Sequence, residues 1–287
     1  MLCYNIYKLE IGMKYKELID YANNNHKIKD YEEEAIIFLI QEIDHLNRSE
    51  LLIKLNDDIK NDELIEKVNK YIYDNIPVQY LVHKAYFYDS CFYVDENVLI
   101  PRFDTEFVVE KSIEIIKNKY QNKIDVCDLC TGSGCIGIVL KKNIDCNVDA
   151  IDISKEALDV AYKNSIINNV DINLIQNDLL NGIDKVYDVI ISNPPYIDIN
   201  EDVMEIVKNN EPHLALYSED KGMYHYKKII DESLVNLKED GLLIFEIPDN
   251  KCDDIYNYAS KYYQDIKYYQ DYNNQRRIMI IQNRRLK

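Results

Sequence analysis

Two short stretches hold side chains whose types and spacing suit chemistry at a nitrogen atom. The first reads Val189-Ile190-Ile191-Ser192-Asn193-Pro194-Pro195-Tyr196. Its aliphatic run predicts a buried strand. Proline has no N–H to give a ladder, so the strand must stop there, and Pro194 pushes Asn193 toward extended angles. One amide and one aromatic ring are thereby fixed at a strand end. The Asn193 side-chain oxygen and the Pro194 carbonyl can accept the two hydrogens of a planar NH2 group, Tyr196 can stack on it, and Pro195 holds the turn. An amide nitrogen is a poor nucleophile, because its lone pair is delocalised. Two acceptors on its hydrogens favour the pyramidal, cationic form that develops as it attacks. Alignment with an electrophile lowers the entropic cost. No strong base is required, since the alkylated nitrogen sheds its proton readily.

The second stretch, Asp128-Leu129-Cys130-Thr131-Gly132-Ser133-Gly134, follows an aliphatic run from Ile124 and leads into another from Cys135. Strand, glycine turn and helix are expected in that order. The glycines let the backbone approach a ligand, and the helix start supplies free N–H groups. The spacing matches neither a Walker loop nor a clean dinucleotide fingerprint. Asp152 ends the next expected strand, where doubly wound folds place a carboxylate on a ribose diol. Ser154 is a fitting N-cap for the helix that follows. Asp178 ends the third strand. Each acid alone reads as a helix cap; the series of three, with Asn193 to Tyr196 at the fourth strand end, reads as one ligand-binding edge. Acids without a phosphate-binding lysine suit a nucleoside that carries a cation. S-adenosylmethionine has that chemistry: ribose diol, adenine, amino acid and sulfonium.

Such side chains need a sheet whose strands end at one edge. Strands are expected at 124–129, 147–152, 172–176, 186–192, 241–247, 265–270 and 276–282. Helices are expected at 105–119, 135–142, 154–168, 223–238 and 250–262. The alternation predicts an α/β fold with a doubly wound, mostly parallel sheet. Upstream, residues 14–76 carry helical periodicity and no glycine, which predicts a small helical bundle. Ala35, Ile36, Leu39, Ile40 and Ile43 share one face, with Asp30 as N-cap and Glu33 completing a capping box. Leu64, Ile65, Val68 and Ile72 share another. Pro77 is expected to end the helical part, and the aromatic stretch from Ala85 to form a hairpin turning at Asp89-Ser90.

The formal net charge is −17 over 287 residues, which disfavours unaided binding to a phosphate backbone. No apolar run reaches the roughly 18 residues of a membrane span. The N-terminal stretch lacks the apolar core and cleavage site of a signal peptide, so the cytoplasm is expected. Seven cysteines, an odd number, read as reduced and buried. Cys127 and Cys130 have no second pair at zinc spacing, and no metal is expected.

The glycine loop, Asp152 and Asn193-Pro-Pro-Tyr196 together resemble class I S-adenosylmethionine-dependent methyltransferases acting on a planar nitrogen. "PVQYLVHKAYFYDSCFYVDENVLIPRFDTEFVVE" (77–110), "NEPHLALYSEDKGMYHYKKII" (210–230) and "LLIFEI" (242–247) are similar to the bacterial peptide chain release factor glutamine methyltransferases. The resemblance covers about residues 77–282 in order. It implies a Rossmann-like sheet (105–287), a connecting β-hairpin (77–104) and an N-terminal helical domain that helps bind the release factor (1–76). It also implies methylation of the glutamine nitrogen in the Gly-Gly-Gln motif of class I release factors, with S-adenosylmethionine as cofactor.

By position, the cofactor would lie against Asp128, Cys130, Thr131, Gly132, Ser133 and Gly134, with Asp152 on the ribose, Asp178 and Leu179 near the adenine, and Asn193. Asn193, Pro194, Pro195 and Tyr196 would hold the glutamine, with Asn193, Pro194 and Tyr196 catalytic. Arg102, Thr105 and Glu106 would shape the pocket wall, and Glu211 and Pro212 would buttress it. A monomer that binds no nucleic acid or membrane is expected. The sequence departs from the family pattern where Cys130 and His83 replace glycines, Phe103 a proline, and Pro248 a glycine. A methyltransferase for a ribosomal-protein glutamine, one for DNA adenine, and a silent methyltransferase fold are the alternatives; the charge argues against DNA.

Overall fold

The computed structural model describes residues 12–27 and 32–285, which divide into two compact units. The cap expected at Asp30 lies outside the described residues.

One unit holds the described residues up to His83 together with Val203–Asn210. Its helices are α1 (Tyr15–Asn25), α2 (Glu33–Asp44), α3 (Arg48–Lys54), α4 (Asp62–Asp74) and α5 (Val78–Val82). In α4, Leu64, Ile65, Val68 and Ile72 fall on the buried face at helical spacing, and the Asn61 side chain accepts the Glu63 N–H at 3.1 Å as N-cap. They pack with Leu18, Ile36, Leu39 and Ile40 into one core, while Ala35 and Ile43 stay half-buried at its margin. Pro77 does not end the helical part. It stands immediately before α5 with φ −55°, an angle its ring imposes and a helix start accepts. The remote segment contributes α9 (Glu205–Asn210), whose Asn210 side chain donates to the Asn75 carbonyl at 2.7 Å.

The other unit begins with a hairpin of β1 (Ala85–Phe87) and β2 (Ser90–Phe92). Its turn falls on Tyr88 and Asp89 rather than Asp89 and Ser90, because Ser90 pairs with Phe87. Tyr88 takes a left-handed φ of +56°. There follow α6 (Phe103–Lys119), β3 (Ile124–Leu129), α7 (Cys135–Asn143), β4 (Cys146–Asp152), α8 (Lys155–Ile167), β5 (Asn173–Gln176) and β6 (Tyr187–Ser192). Beyond α9 come the short α10 (His213–Leu216) and α11 (Glu219–Gly222), then α12 (Tyr224–Asn236), β7 (Leu237–Glu246), α13 (Cys252–Ala259), β8 (Tyr263–Gln270) and β9 (Arg276–Arg284).

These strands form a seven-stranded sheet in the order β5-β4-β3-β6-β7-β9-β8. The ladder is parallel from β5 to β7 and antiparallel through β9 to β8. The central strands are buried on both faces, which explains their unbroken aliphatic runs. Val126, Val148, Val189, Ile191 and Ile244 point to one core, shared with Val108 and Ile138. Their alternates Cys127, Leu129, Ile151, Ile190 and Phe245 point to the other, shared with Tyr226, Ile230 and Ile255. Phe245 meets Tyr226 edge to face, with ring centroids 5.2 Å apart. Removing a fully buried phenylalanine ring costs about 3–5 kcal/mol. Phe245→Ala should therefore lower the unfolding free energy of this unit by that amount, read as the fall in urea midpoint multiplied by the slope m; a loss under about 1 kcal/mol would contradict this packing.

Candidate active site

The parallel register sets the site. Leu129 pairs with Ile151 and with Ser192, Ser192 with Phe245, and Asp152 with Gln176. One residue further along, Cys130, Asp152, Asn193 and Glu246 therefore stand level at the carboxyl edge of the sheet. The Ser192 hydroxyl donates to the Leu129 carbonyl at 2.8 Å and ties the ends of β6 and β3 together.

The glycine loop crosses this edge in a left-handed path: φ is +57° at Cys130, +53° at Gly132 and +80° at Gly134. Cys130 therefore stands where glycine would be unstrained, and His83 does the same at +52°. Pro248, at φ −77°, meets no such conflict, and Phe103 opens α6 with an exposed ring. Asp128 lies beneath the loop, fully buried. Its Oδ2 accepts from the Thr131 hydroxyl at 2.6 Å and the Gly137 N–H at 2.9 Å, and burial pushes its carboxyl up to about 7. Its Oδ1 accepts no hydrogen bond among the described residues.

Asp152 clamps the loop: one oxygen accepts the Gly132 N–H at 2.9 Å and the other the Ser154 N–H at 3.0 Å. Burial raises its carboxyl, and these N–H groups pull it back. Ser154 caps α8 through the Ala157 N–H at 3.1 Å. The Asn177 side chain donates to the carbonyls of Leu179 and Asn181, both at 2.9 Å, and so braces Leu179 at φ +53°. Asp178 pairs with Lys228 at 2.6 Å.

A cavity of about 330 Å³ opens above this edge, a size suited to a small ligand. Of the residues expected at the site, Cys130, Gly132, Asp152, Asp178, Leu179 and Asn193 line it, with Pro195 and Pro212. Asp128, Thr131, Ser133 and Gly134, also expected there, do not line it, and the first three are buried. Pro194 is buried, and Tyr196 is half-buried against the core beside β7. Burial pushes the Tyr196 phenol up to about 12, so the ring carries no charge near neutrality. Arg102 donates to Glu211, which also accepts the Ile100 N–H at 3.3 Å; this pair braces the segment before α6. Glu106 accepts the Tyr88 N–H at 2.9 Å and holds the hairpin turn instead of lining the cavity.

Sequence reasoning missed two lining stretches, Glu96–Leu99 and the set of Leu214, Ala215 and His225. The Asp95 side chain accepts the Asn97 N–H at 3.1 Å, an Asx turn legible as Asp-x-Asn. His225 reaches the Ser218 hydroxyl at 2.8 Å, and nothing in its spacing signals that role. The reading also passed over Glu246. It is fully buried, pushed up to about 7 by burial, and accepts the Thr105 hydroxyl at 2.6 Å. Asn193 donates in turn to the Thr105 oxygen at 3.4 Å. The assembled edge can accept a diol at Asp152, flank a flat ring with Ile153, Leu179 and Leu214, and present one amide beside it.

Residues 110–215 match the family model described as "Methyltransferase small domain". The release factor glutamine methyltransferase of Flavobacterium psychrophilum is 39% identical over 225 residues, covering 75% of this chain and 79% of that protein. That of Mycoplasma mycoides is 34% identical over 271 residues, covering 89% and 88%. Among solved structures, the Thermus thermophilus 16S rRNA N2 G1207 methyltransferase in complex with AdoMet and guanosine aligns with a TM-score of 0.54. At 11% identity, over 70% of this chain and 50% of that one, it shows a shared fold.

Gly222 locks the turn after β6 from behind. A Cβ built there would stand 2.0 Å from the Tyr196 carbonyl oxygen, and its φ is +84°. Gly182 has a similar φ of +72° but open space around it. Gly182→Ala should therefore lose only the backbone strain, about 1 kcal/mol, whereas Gly222→Ala should lose clearly more and displace Tyr196. Matched thermal melts compare them; equal losses would show that the turn does not lean on Gly222.

Proposed function

This chain belongs to the release factor glutamine methyltransferases, and we propose that it methylates the side-chain nitrogen of the glutamine in the Gly-Gly-Gln motif of class I peptide chain release factors. S-adenosylmethionine is the methyl donor, supplying when bound a methyl group on a positively charged sulfur. The observation that carries the reading is that Asp152 and Asn193, level at the ends of the two strands that flank β3, line one cavity.

The residues present fit the cofactor. Asp152 keeps lone pairs for a ribose diol after accepting two backbone N–H groups. Leu179, Ile153 and Leu214 offer apolar faces to the adenine, and Asn177 and Asp178 offer polar groups at its edge. The carboxylates of Asp152, Asp178 and Glu156 around the cavity favour a cationic ligand. The backbone at Cys130 and Gly132 lies open to the methionine portion.

On the substrate side, Asn193 and the Pro194 carbonyl take the two hydrogens of the glutamine NH2 and favour its pyramidal form. Pro195 keeps the turn rigid, and Tyr196, a neutral phenol, lies against the glutamine side chain. Arg102, Thr105 and Glu106 do not line the cavity and act through their partners Glu211, Glu246 and the Tyr88 N–H. The proton on the methylated nitrogen leaves to water, so no strong base is needed. The helical unit, to which Val203–Asn210 is joined, makes the wider contact with the release factor. The enzyme acts as a cytoplasmic monomer. It contacts no nucleic acid directly, in keeping with a net charge of −17. None of the described helices is long and apolar enough to cross a membrane.

Methyl-labelled S-adenosylmethionine, offered with a matched release factor, the same factor carrying alanine for the Gly-Gly-Gln glutamine, or a DNA duplex, should label the intact factor alone. Label on the alanine factor or on DNA would overturn the substrate. Asp152→Ala should weaken cofactor binding at least about tenfold by calorimetry; unchanged affinity would remove Asp152 from the ribose.

A further inference from the structure

Asparagine presents an oxygen on one side of its amide and an NH2 on the other, and a site that must accept hydrogens works in only one of the two orientations. The contacts behind Asn193 select between them. Glu246 is fully buried at the end of β7 and accepts the Thr105 hydroxyl at 2.6 Å. A hydroxyl has one hydrogen. Once Thr105 gives it to Glu246, its oxygen can only accept toward Asn193. The group of Asn193 that faces it must then be the NH2, at 3.4 Å. The same NH2 also acts as a donor that stabilises the ionised Glu246. The Asn193 oxygen is left for the cavity it lines.

We propose that Glu246 and Thr105 are positioning residues that fix the Asn193 amide with its oxygen toward the substrate nitrogen. The inference rests on the reading of Asn193 as the acceptor for the glutamine NH2, and it adds what makes Asn193 an acceptor. Neither Glu246 nor Thr105 lines the cavity, so they act through Asn193.

The surroundings keep the relay polarised. Arg277 on β9 and the Thr105 and Asn193 donors favour the ionised carboxylate, while burial and Asp104 on α6 oppose it, leaving Glu246 at about 7. Tyr226 on α12 donates to the Glu246 main-chain carbonyl at 2.9 Å and leaves the carboxylate to Thr105. Tyr196 also faces the group, as a neutral phenol.

Thr105→Val keeps the shape and removes the hydroxyl; Thr105→Ser keeps the hydroxyl. Assays run about one pH unit above the Glu246 value keep the carboxylate ionised. Thr105→Val should lose about tenfold or more in kcat on the release factor, with KM and cofactor affinity within about threefold of wild type. Thr105→Ser should recover most of that loss. A Thr105→Val enzyme with kcat within about twofold of wild type, or one that loses cofactor affinity and kcat together, would overturn the inference.

An independent readout needs no turnover. In nitrogen-labelled protein, the Asn193 side-chain NH2 signals, assigned by their absence from Asn193→Asp, should exchange slowly with solvent in wild type and quickly in Thr105→Val. Equal exchange in both would overturn the inference even if methylation is observed. Slow exchange in wild type with no methylation of the factor would instead count against the substrate alone.

Discussion

Parallel pairing in register is the constraint on which the site depends. Each parallel ladder fixes how far a strand advances relative to its neighbour, so the residues just past paired ends share one level. Leu129, Ile151, Ser192 and Phe245 are the last pairs of these parallel ladders, and Cys130, Asp152, Asn193 and Glu246 stand one step on. A slip of one residue on any of these strands would turn its side chains to the other face and carry the site out of line. The two cores, alternating along the same strands, guard against that slip, because each aliphatic position fits only one face.

Once the strands end level, the loops must leave without blurring the alignment, and they do so under strain. Cys130 and Leu179 hold left-handed angles, and tight backbone packing at Gly222 stops the turn at Tyr196 from relaxing outward. Such angles cost about 1–2 kcal/mol each and persist where surrounding contacts over-determine them. Here the contacts are the carboxylate of Asp152 under Gly132, the amide of Asn177 behind Leu179, and the Ser192 hydroxyl across to Leu129. Buried acids do structural work beneath a ligand edge that is also acidic. Asp128 and Glu246 both lie far above the ordinary carboxylate range, because burial disfavours their charge.

Much of this was legible in the sequence because buried parallel strands read as aliphatic runs and their ends as abrupt changes of residue type. The runs into Asp128, Asp152 and Asn193 marked both the strands and the edge, and the Asn-Pro-Pro-Tyr turn marked its own rigidity. Loops without periodicity were not legible. Glu96–Leu99 and the separate Leu214, Ala215 and His225 reach the cavity by tertiary folding alone. Tyr88 in a left-handed turn contradicts its local preference and is held by Glu106 from another element. Pro77 was misread because a proline marks a helix start as readily as a stop. Glu246 looked like one more strand residue in "LLIFEI", since only the approach of Thr105 and Asn193 gives its carboxylate a part. Val203–Asn210 joins the helical unit across a long stretch of sequence, which spacing cannot announce.

The central claim is that the amide at the end of β6 serves the chemical step. Single-turnover methylation of the release factor by preloaded Asn193→Ala enzyme tests it most directly, with cofactor affinity measured on the same sample. The account predicts that the rate of methyl transfer falls by about a hundredfold or more, while the affinity for S-adenosylmethionine stays within about fivefold of wild type. A variant that binds cofactor and transfers the methyl group at the wild-type rate would contradict it.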